Sequence, residues 1–173
     1  MKISARAGIK RSRSGFTLIE LLVSLTIVAI LAVSVFVALN PAQRLKDAKD
    51  ARRAADVDSI LTAIHQSVVD NKGTFPTNFP AAGTKKQLGT GDATTCTATV
   101  GTYCSTVTTV CADLLADVAQ DLIPYLKSGP IDPVGGTTAT AVKTGYMVER
   151  DTNGIVTVTA CYTDGTTAIS ASR

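Results

Sequence analysis

Tryptophan is absent from the 173 residues, histidine occurs once, and aromatic residues make up only 5%. A hydrolase triad would depend entirely on the lone His65. With no second histidine and no cysteine on its face, His65 lacks the company a zinc site needs and reads as a half-buried helix residue. No Gly-rich phosphate loop, nucleophile arrangement or paired-carboxylate pattern stands elsewhere in the chain. These gaps argue against an enzyme, and the sequence asks for no cofactor and no metal. Charge is sparse as well, at 18% against 45% apolar residues, which excludes a disordered polyelectrolyte and suits one modest domain with an appendage.

The charge that exists is unevenly placed. Of 17 bases, five (Lys2, Arg6, Lys10, Arg11 and Arg13) precede residue 15, leaving 12 against all 14 acids in the rest. The formal +3 thus belongs to a short basic leader, and the body is mildly acidic, unlike a nucleic-acid-binding domain. Lys85-Lys86 is too small a cluster to change that.

Phe16 to Leu39 is a run of 24 residues with only Thr17, Glu20, Ser24, Thr26 and Ser34 as polar members and no Gly or Pro. As a helix it extends roughly 36 Å at 1.5 Å per residue, against about 30 Å of hydrocarbon in a bilayer. Basic residues ahead of such a run keep the N-terminus in the cytoplasm and send the remainder across. The run exceeds the apolar core of a cleavable signal peptide, about 7–15 residues, and Ala29 to Ala38 matches a cleavage site only loosely. A signal anchor fits better, yet it leaves Glu20 unexplained. A charge at full membrane depth costs about 2.5–3.5 kcal/mol. Either Glu20 lies shallow, hydrated or protonated, or something compensates it.

Gly15-Phe16-Thr17-Leu18-Ile19-Glu20-Leu21-Leu22-Val23 resembles the N-terminal segment shared by type IV pilins and the pseudopilins of type II secretion and competence systems. The resemblance covers about 25 residues tightly and the following helix more loosely. It implies that a prepilin peptidase cuts between Gly15 and Phe16 and methylates the new Phe16 amine, leaving 158 residues. The chemistry of the spacing agrees. Cleavage turns an amide into a cation at the mouth of the bilayer, one helical turn from Glu20, and neither ion tolerates isolation in low dielectric. The pair can form within one chain or between neighbours; the family's expectation is the intermolecular pair, which sets subunit stagger in a homo-oligomeric filament. A cytoplasmic assembly ATPase and an inner-membrane platform protein are the implied partners, with membrane lipid as the surroundings before assembly.

Beyond Leu39, Asn40-Pro41 predicts a helix kink at Pro41. Two apolar lines follow, Leu45, Ala48, Ala51 and Ala55, then Val57, Leu61, Ile64 and Val68, the second rotated onto another face and expected to pack on the head. The mixed charges from Arg44 to Asp58, including the base-before-acid pairs Lys46 with Asp50 and Arg52 with Asp56 and the like pair Lys49 with Arg53, read as a solvated face. The helix is predicted to reach Asn71, with Gly73 as its left-handed stop. Thr74 to Thr109 reads as a long surface connection with short extended pieces. Ala112 to Ile123 carries helical spacing, and Tyr125 to Pro133 is a turn-rich corner.

Gly145 to Arg150 and Ile155 to Tyr162 flank Asp151-Thr152-Asn153-Gly154 and predict a hairpin. A two-residue loop would set Thr152 opposite Ile155; a four-residue loop would set Arg150 there. A third strand is expected at Thr166 to Ile169. The result is an α+β fold, a long N-terminal helix packed on a small antiparallel sheet: residues 1–15 as leader, 16–39 as membrane and filament-core half, 40–72 as amphipathic half and 73–173 as head.

Cys96, Cys104, Cys111 and Cys161 lie in the part expected outside, where oxidation is favoured, and four cysteines allow three pairings. Joining Cys111 to Cys161 would pin the sheet to the short helix, with Cys96 and Cys104 clipping the connection. Asp132, Asp151 and Asp164 sit in turns; some secretion pseudopilins bind calcium near their last strands, but this sequence lacks the dense oxygen ligands and the residues read as turn formers. The expected product is a structural subunit of a type IV pilus-like surface filament, held in the membrane by its first helix before assembly. A secretion or DNA-uptake pseudopilin is the near alternative, and a signal-anchored binding module that never polymerises the farther one.

Overall fold

The computed structural model describes residues 15–92, 95–96, 101–104, 110–115, 122–134 and 139–173. Helix occupies Leu18–Leu39 (α1) and Pro41–Asp70 (α2), with Asn40 between them in the left-handed region at φ 40°. The interruption is one residue wide. Pro41 takes the first position of α2, where a missing amide hydrogen leaves no bond unmade. The chain divides into two units, residues 1–41 and 42–173.

In the first unit no residue of α1 is buried among the described residues. Its polar side chains are satisfied locally. The hydroxyls of Ser24, Thr26 and Ser34 donate to the carbonyls of Glu20, Val23 and Leu31 at 2.7, 2.8 and 2.7 Å. That removes the penalty of carrying free hydroxyls into an apolar medium.

In the second unit, α2 covers a four-stranded antiparallel sheet of Thr84–Gln87 (β1), Tyr146–Arg150 (β2), Val156–Ala160 (β3) and Ser170–Ser172 (β4), in the order β1-β2-β3-β4. Val57, Ile60, Leu61 and Ile64 from α2 meet Tyr146, Val148, Val156 and Val158 in one core. The second apolar line of α2 therefore faces the sheet, while Leu45, Ala48, Ala51 and Ala55 stay exposed. His65 is half-buried on the same helix.

The helix ends one residue earlier than expected. Lys72 adopts φ 55°, and Lys72 and Gly73 donate their amides to Val69 and Val68 carbonyls at 3.2 and 2.8 Å. This is a double-bonded helix end in which Gly73 takes the left-handed region expected of it, at φ 88°, and Lys72 before it does so too.

The hairpin register lies between the two considered. Arg150 pairs with Val156, and Asp151 donates its amide to the Ile155 carbonyl at 3.0 Å, which leaves a three-residue loop of Thr152, Asn153 and Gly154. Asp151 decides it: its Oδ1 accepts the amides of Asn153 and Ile155 at 2.8 and 2.7 Å, and Gly154 closes the loop at φ 90°.

Two further expectations are corrected, and a third lies largely outside the described residues. The last strand is Ser170–Ser172, not Thr166 to Ile169, because Asp164 and Gly165 are held on α2 and the chain rejoins the ladder only at Ile169, whose carbonyl accepts the Ala160 amide at 2.9 Å. The stretch after α2 is no mere surface connection. Phe75 and Phe79 stack at 4.9 Å and pack on the core, Arg150 lies 4.5 Å over the Phe75 ring, and β1 joins the sheet. Of the short helix expected from Ala112 to Ile123, residues 116–121 lie outside the described residues; at its start Ala112 bridges Leu88 instead of entering a helix.

Candidate functional site

Two groups of residues carry chemistry, one at the start of α1 and one where α2 meets the head.

Gly15 and Phe16 precede α1 outside any helix or strand, and Phe16 is 82% exposed. Thr17 caps the helix, its hydroxyl accepting the Glu20 amide at 3.3 Å and lying 3.5 Å from a Glu20 carboxylate oxygen. Thr17-x-x-Glu20 has the spacing of a capping box, a signal readable in the sequence itself. Glu20 thus occupies the first turn, where a carboxylate also complements the helix dipole. From Leu18 to Leu39 the helix presents exposed Leu, Ile, Val and Phe on every side.

In the head, the four cysteines form Cys96–Cys111 and Cys104–Cys161. This pairing replaces the expected Cys111 with Cys161 and Cys96 with Cys104. The bridge of Ala112 to Leu88 brings the Cys111 amide to the Gly91 carbonyl at 3.3 Å, while Cys96 lies one turn beyond Asp92, its amide 2.9 Å from that carbonyl. Tyr103 donates to the Cys161 carbonyl at 3.3 Å, which sets Cys104 beside the end of β3.

Arg53 is buried on α2, contrary to the solvated face expected for its neighbourhood. Its Nε and Nη2 donate to both Asp132 oxygens at 2.9 and 3.0 Å, and Nη1 donates to Asp50 at 2.6 Å and Asp164 at 2.8 Å. Asp50 in turn accepts the Thr163 hydroxyl and the amides of Asp164 and Gly165 at 3.0–3.1 Å. Burial works to raise the Asp50 carboxyl, but the Asp164 amide, Arg53, Thr163 and the Gly165 amide outweigh it and hold it below its ordinary value. Burial likewise works against the Arg53 cation, and its three carboxylate partners reverse the balance and strengthen its charge. Three residues along α2, Asp56 accepts the buried Tyr146 hydroxyl at 2.6 Å, and burial first, that bond second, push the phenol well upward. Asp132 and Asp164 are therefore more than turn formers: each ties its turn to α2. Among the described residues no cluster of His, Cys, Asp and Glu is arranged to hold a metal ion. Sequence spacing could not reveal this group, since Arg53 reaches partners 79 and 111 residues away.

A fully exposed, capped apolar helix with an acid in its first turn, followed by an amphipathic helix on a four-stranded antiparallel sheet, defines a pilin-like α+β protein. Residues 10–36 match the family described as the prokaryotic N-terminal methylation motif, the signature of type IV pilins and pseudopilins. The chain is therefore type IV pilin-like or pseudopilin-like, and the motif carries with it a prepilin peptidase and filament assembly in general. No curated protein and no solved structure matches the chain.

Proposed function

We propose that the chain is the precursor of a structural subunit in a type IV pilus-like surface filament. The prepilin peptidase cuts between Gly15 and Phe16 and methylates the new amine. Glu20 of one subunit then pairs with the Phe16 amine of a neighbour. The observation that carries this reading is the coincidence of the methylation motif with a helix that buries none of its apolar residues in its own fold.

The same surface serves first lipid and then neighbouring subunits. At about 25 cal/mol per Å², roughly 2,000 Å² of apolar helix is worth tens of kcal/mol, so contacts in the filament must nearly match those with lipid. Extraction then requires outside work, supplied by the cytoplasmic ATPase and the membrane platform protein. The motif is shared with pseudopilins, so the length and place of the assembly separate the two roles. Long surface fibres built mainly of this chain mark a pilin, and short periplasmic assemblies with a secretion defect on deletion mark a pseudopilin.

The test is N-terminal mass spectrometry of material sheared from cells. A chain beginning at Phe16, with or without a methyl group, is expected; an exported form that retains Met1 rejects the proposal.

A further inference from the structure

α2 rests on the sheet through Val57, Ile60, Leu61 and Ile64. These are aliphatic side chains of similar bulk repeated at helical spacing, and apolar burial has no direction. Moving α2 along its axis by one turn, about 5.4 Å, would exchange one such residue for the next. Such packing alone discriminates poorly between neighbouring registers. Two polar pairs on the same face do discriminate. Arg53 and Asp56 lie three residues apart on α2, and their partners come from different parts of the head: Asp132 from the corner between β1 and β2, Tyr146 from the start of β2. Both partners are rigidly placed. Asp132 is 2% exposed, donates its amide to Thr144 and lies against Gly145, while Tyr146 is fully buried in the core.

We infer that Arg53–Asp132 and Asp56–Tyr146 form a two-point polar key that fixes the axial and rotational register of α2 on the sheet. A shift of one turn would part the buried guanidinium from Asp132 and Asp164 and leave it only Asp50 of its own helix, with the Asp132 carboxylate buried and unpaired. An aliphatic mismatch of the same size is cheaper. Buried ion pairs can be exchanged for apolar residues without loss of stability, and their best-attested use is to select one arrangement among near-equals. Through Nη1 the same guanidinium sets the loop of Thr163, Asp164 and Gly165, and hence the approach to β4. The inference concerns the head alone and stands whether or not the chain forms filaments.

The test uses the full chain in detergent micelles. Arg53→Met with Asp132→Leu removes the first point and leaves no uncompensated charge between them; Asp50 keeps its bonds from Thr163, Asp164 and Gly165, Asp164 is partly exposed and can hydrate, and the Val134 amide, which loses Asp132 Oδ1 at 2.8 Å, belongs to an exposed residue and can hydrate too. The double variant is expected to fold with both disulfides and a denaturant midpoint at or above the parent's. Amide exchange from Val57 to Ser67 should nevertheless rise about tenfold or more, and the methyl resonances of Val148, Val156 and Val158 should split. An unchanged exchange pattern with single resonances overturns the inference. So does a uniform rise that merely tracks a lower midpoint, since that is lost stability and not lost register. If the double variant does not fold, Tyr146→Phe decides, because it deletes only one hydroxyl. A severalfold rise in exchange confined to the packed face of α2 is expected, and none overturns the key.

Discussion

Arg53 grips both carboxylate oxygens of Asp132, at 2.9 and 3.0 Å, across 79 residues of chain. With both side chains almost wholly buried, removing one partner leaves the other charge without compensation. Asp132→Ala is therefore expected to cost about 3–5 kcal/mol, and Arg53→Met a similar amount. Arg53→Lys should recover part of the loss, since an ammonium meets one carboxylate well but lacks the planar fork. Denaturant midpoints of the three variants check the order.

Stability should decline at both ends of the pH scale. Asp50 is depressed in the fold, so its contribution is fully present above its ordinary value of 3.8 and is lost as pH falls through the lower folded value. Tyr146 is raised in the fold, so its contribution is fully present below 10.0 and is lost as pH climbs toward the folded value. Urea midpoints measured against pH should show both limbs. Asp50→Asn is expected to make the acid limb shallower, and Tyr146→Phe the alkaline one. A variant that leaves its limb unchanged removes that residue from the account.

The two disulfides should differ in weight. Cys104–Cys161 closes a separation of 57 residues and Cys96–Cys111 one of 15, so the chain-entropy model assigns about 4 and about 3 kcal/mol to them. Non-reducing peptide mapping should recover these two pairs. Replacing Cys104 and Cys161 by Ser should lower the denaturant midpoint more than replacing Cys96 and Cys111.

Two glycines with nearly equal φ separate strain from crowding. Gly154, at φ 90°, has nothing within 4 Å of an added Cβ, whereas at Gly145, φ 86°, an added Cβ would stand 2.7 Å from the Asp132 Cβ. Gly154→Ala should cost about 1–2 kcal/mol from the left-handed backbone alone. Gly145→Ala should cost more and should also loosen the Arg53 pair, visible as a larger fall in thermal midpoint.

Glu20→Ala tests the assembly reading without touching the head. Filament yield should fall strongly, while the thermal midpoint of the head stays at the parent's value, because α1 has no buried residue. Glu20→Gln, which keeps shape and loses charge, should behave like Glu20→Ala if charge matching drives assembly. Normal filaments from both variants would remove the electrostatic step.

Local chemistry was legible in the sequence, and long-range geometry was not. The apolar run, the second apolar line of α2 and the hairpin at Asn153-Gly154 each depend on neighbours a few residues apart. The hairpin register, open in the sequence between two and four loop residues, falls at three because the Asp151 carboxylate acts as an amide acceptor inside the loop. Cys111 pairs with Cys96 and not Cys161, and the helical spacing after it hides the bridge of Ala112 to Leu88 that places it there. Charge spacing along α2 described Arg53 as one of a solvated series. Nothing local distinguishes it from Arg52, whose side chain is 61% exposed one position earlier.

The cap at Thr17 bears on the proposed shortening of the chain. The backbone ladder of α1 begins with the Leu21 amide on the Thr17 carbonyl at 3.2 Å, and the Thr17 hydroxyl already serves the Glu20 amide. A scission before Phe16 leaves both of these links standing, so the trimmed product inherits a finished end and has nothing to rewind. The freshly bared nitrogen then sits one residue outside the coil, unclaimed by the ladder and at liberty to find a carboxylate elsewhere.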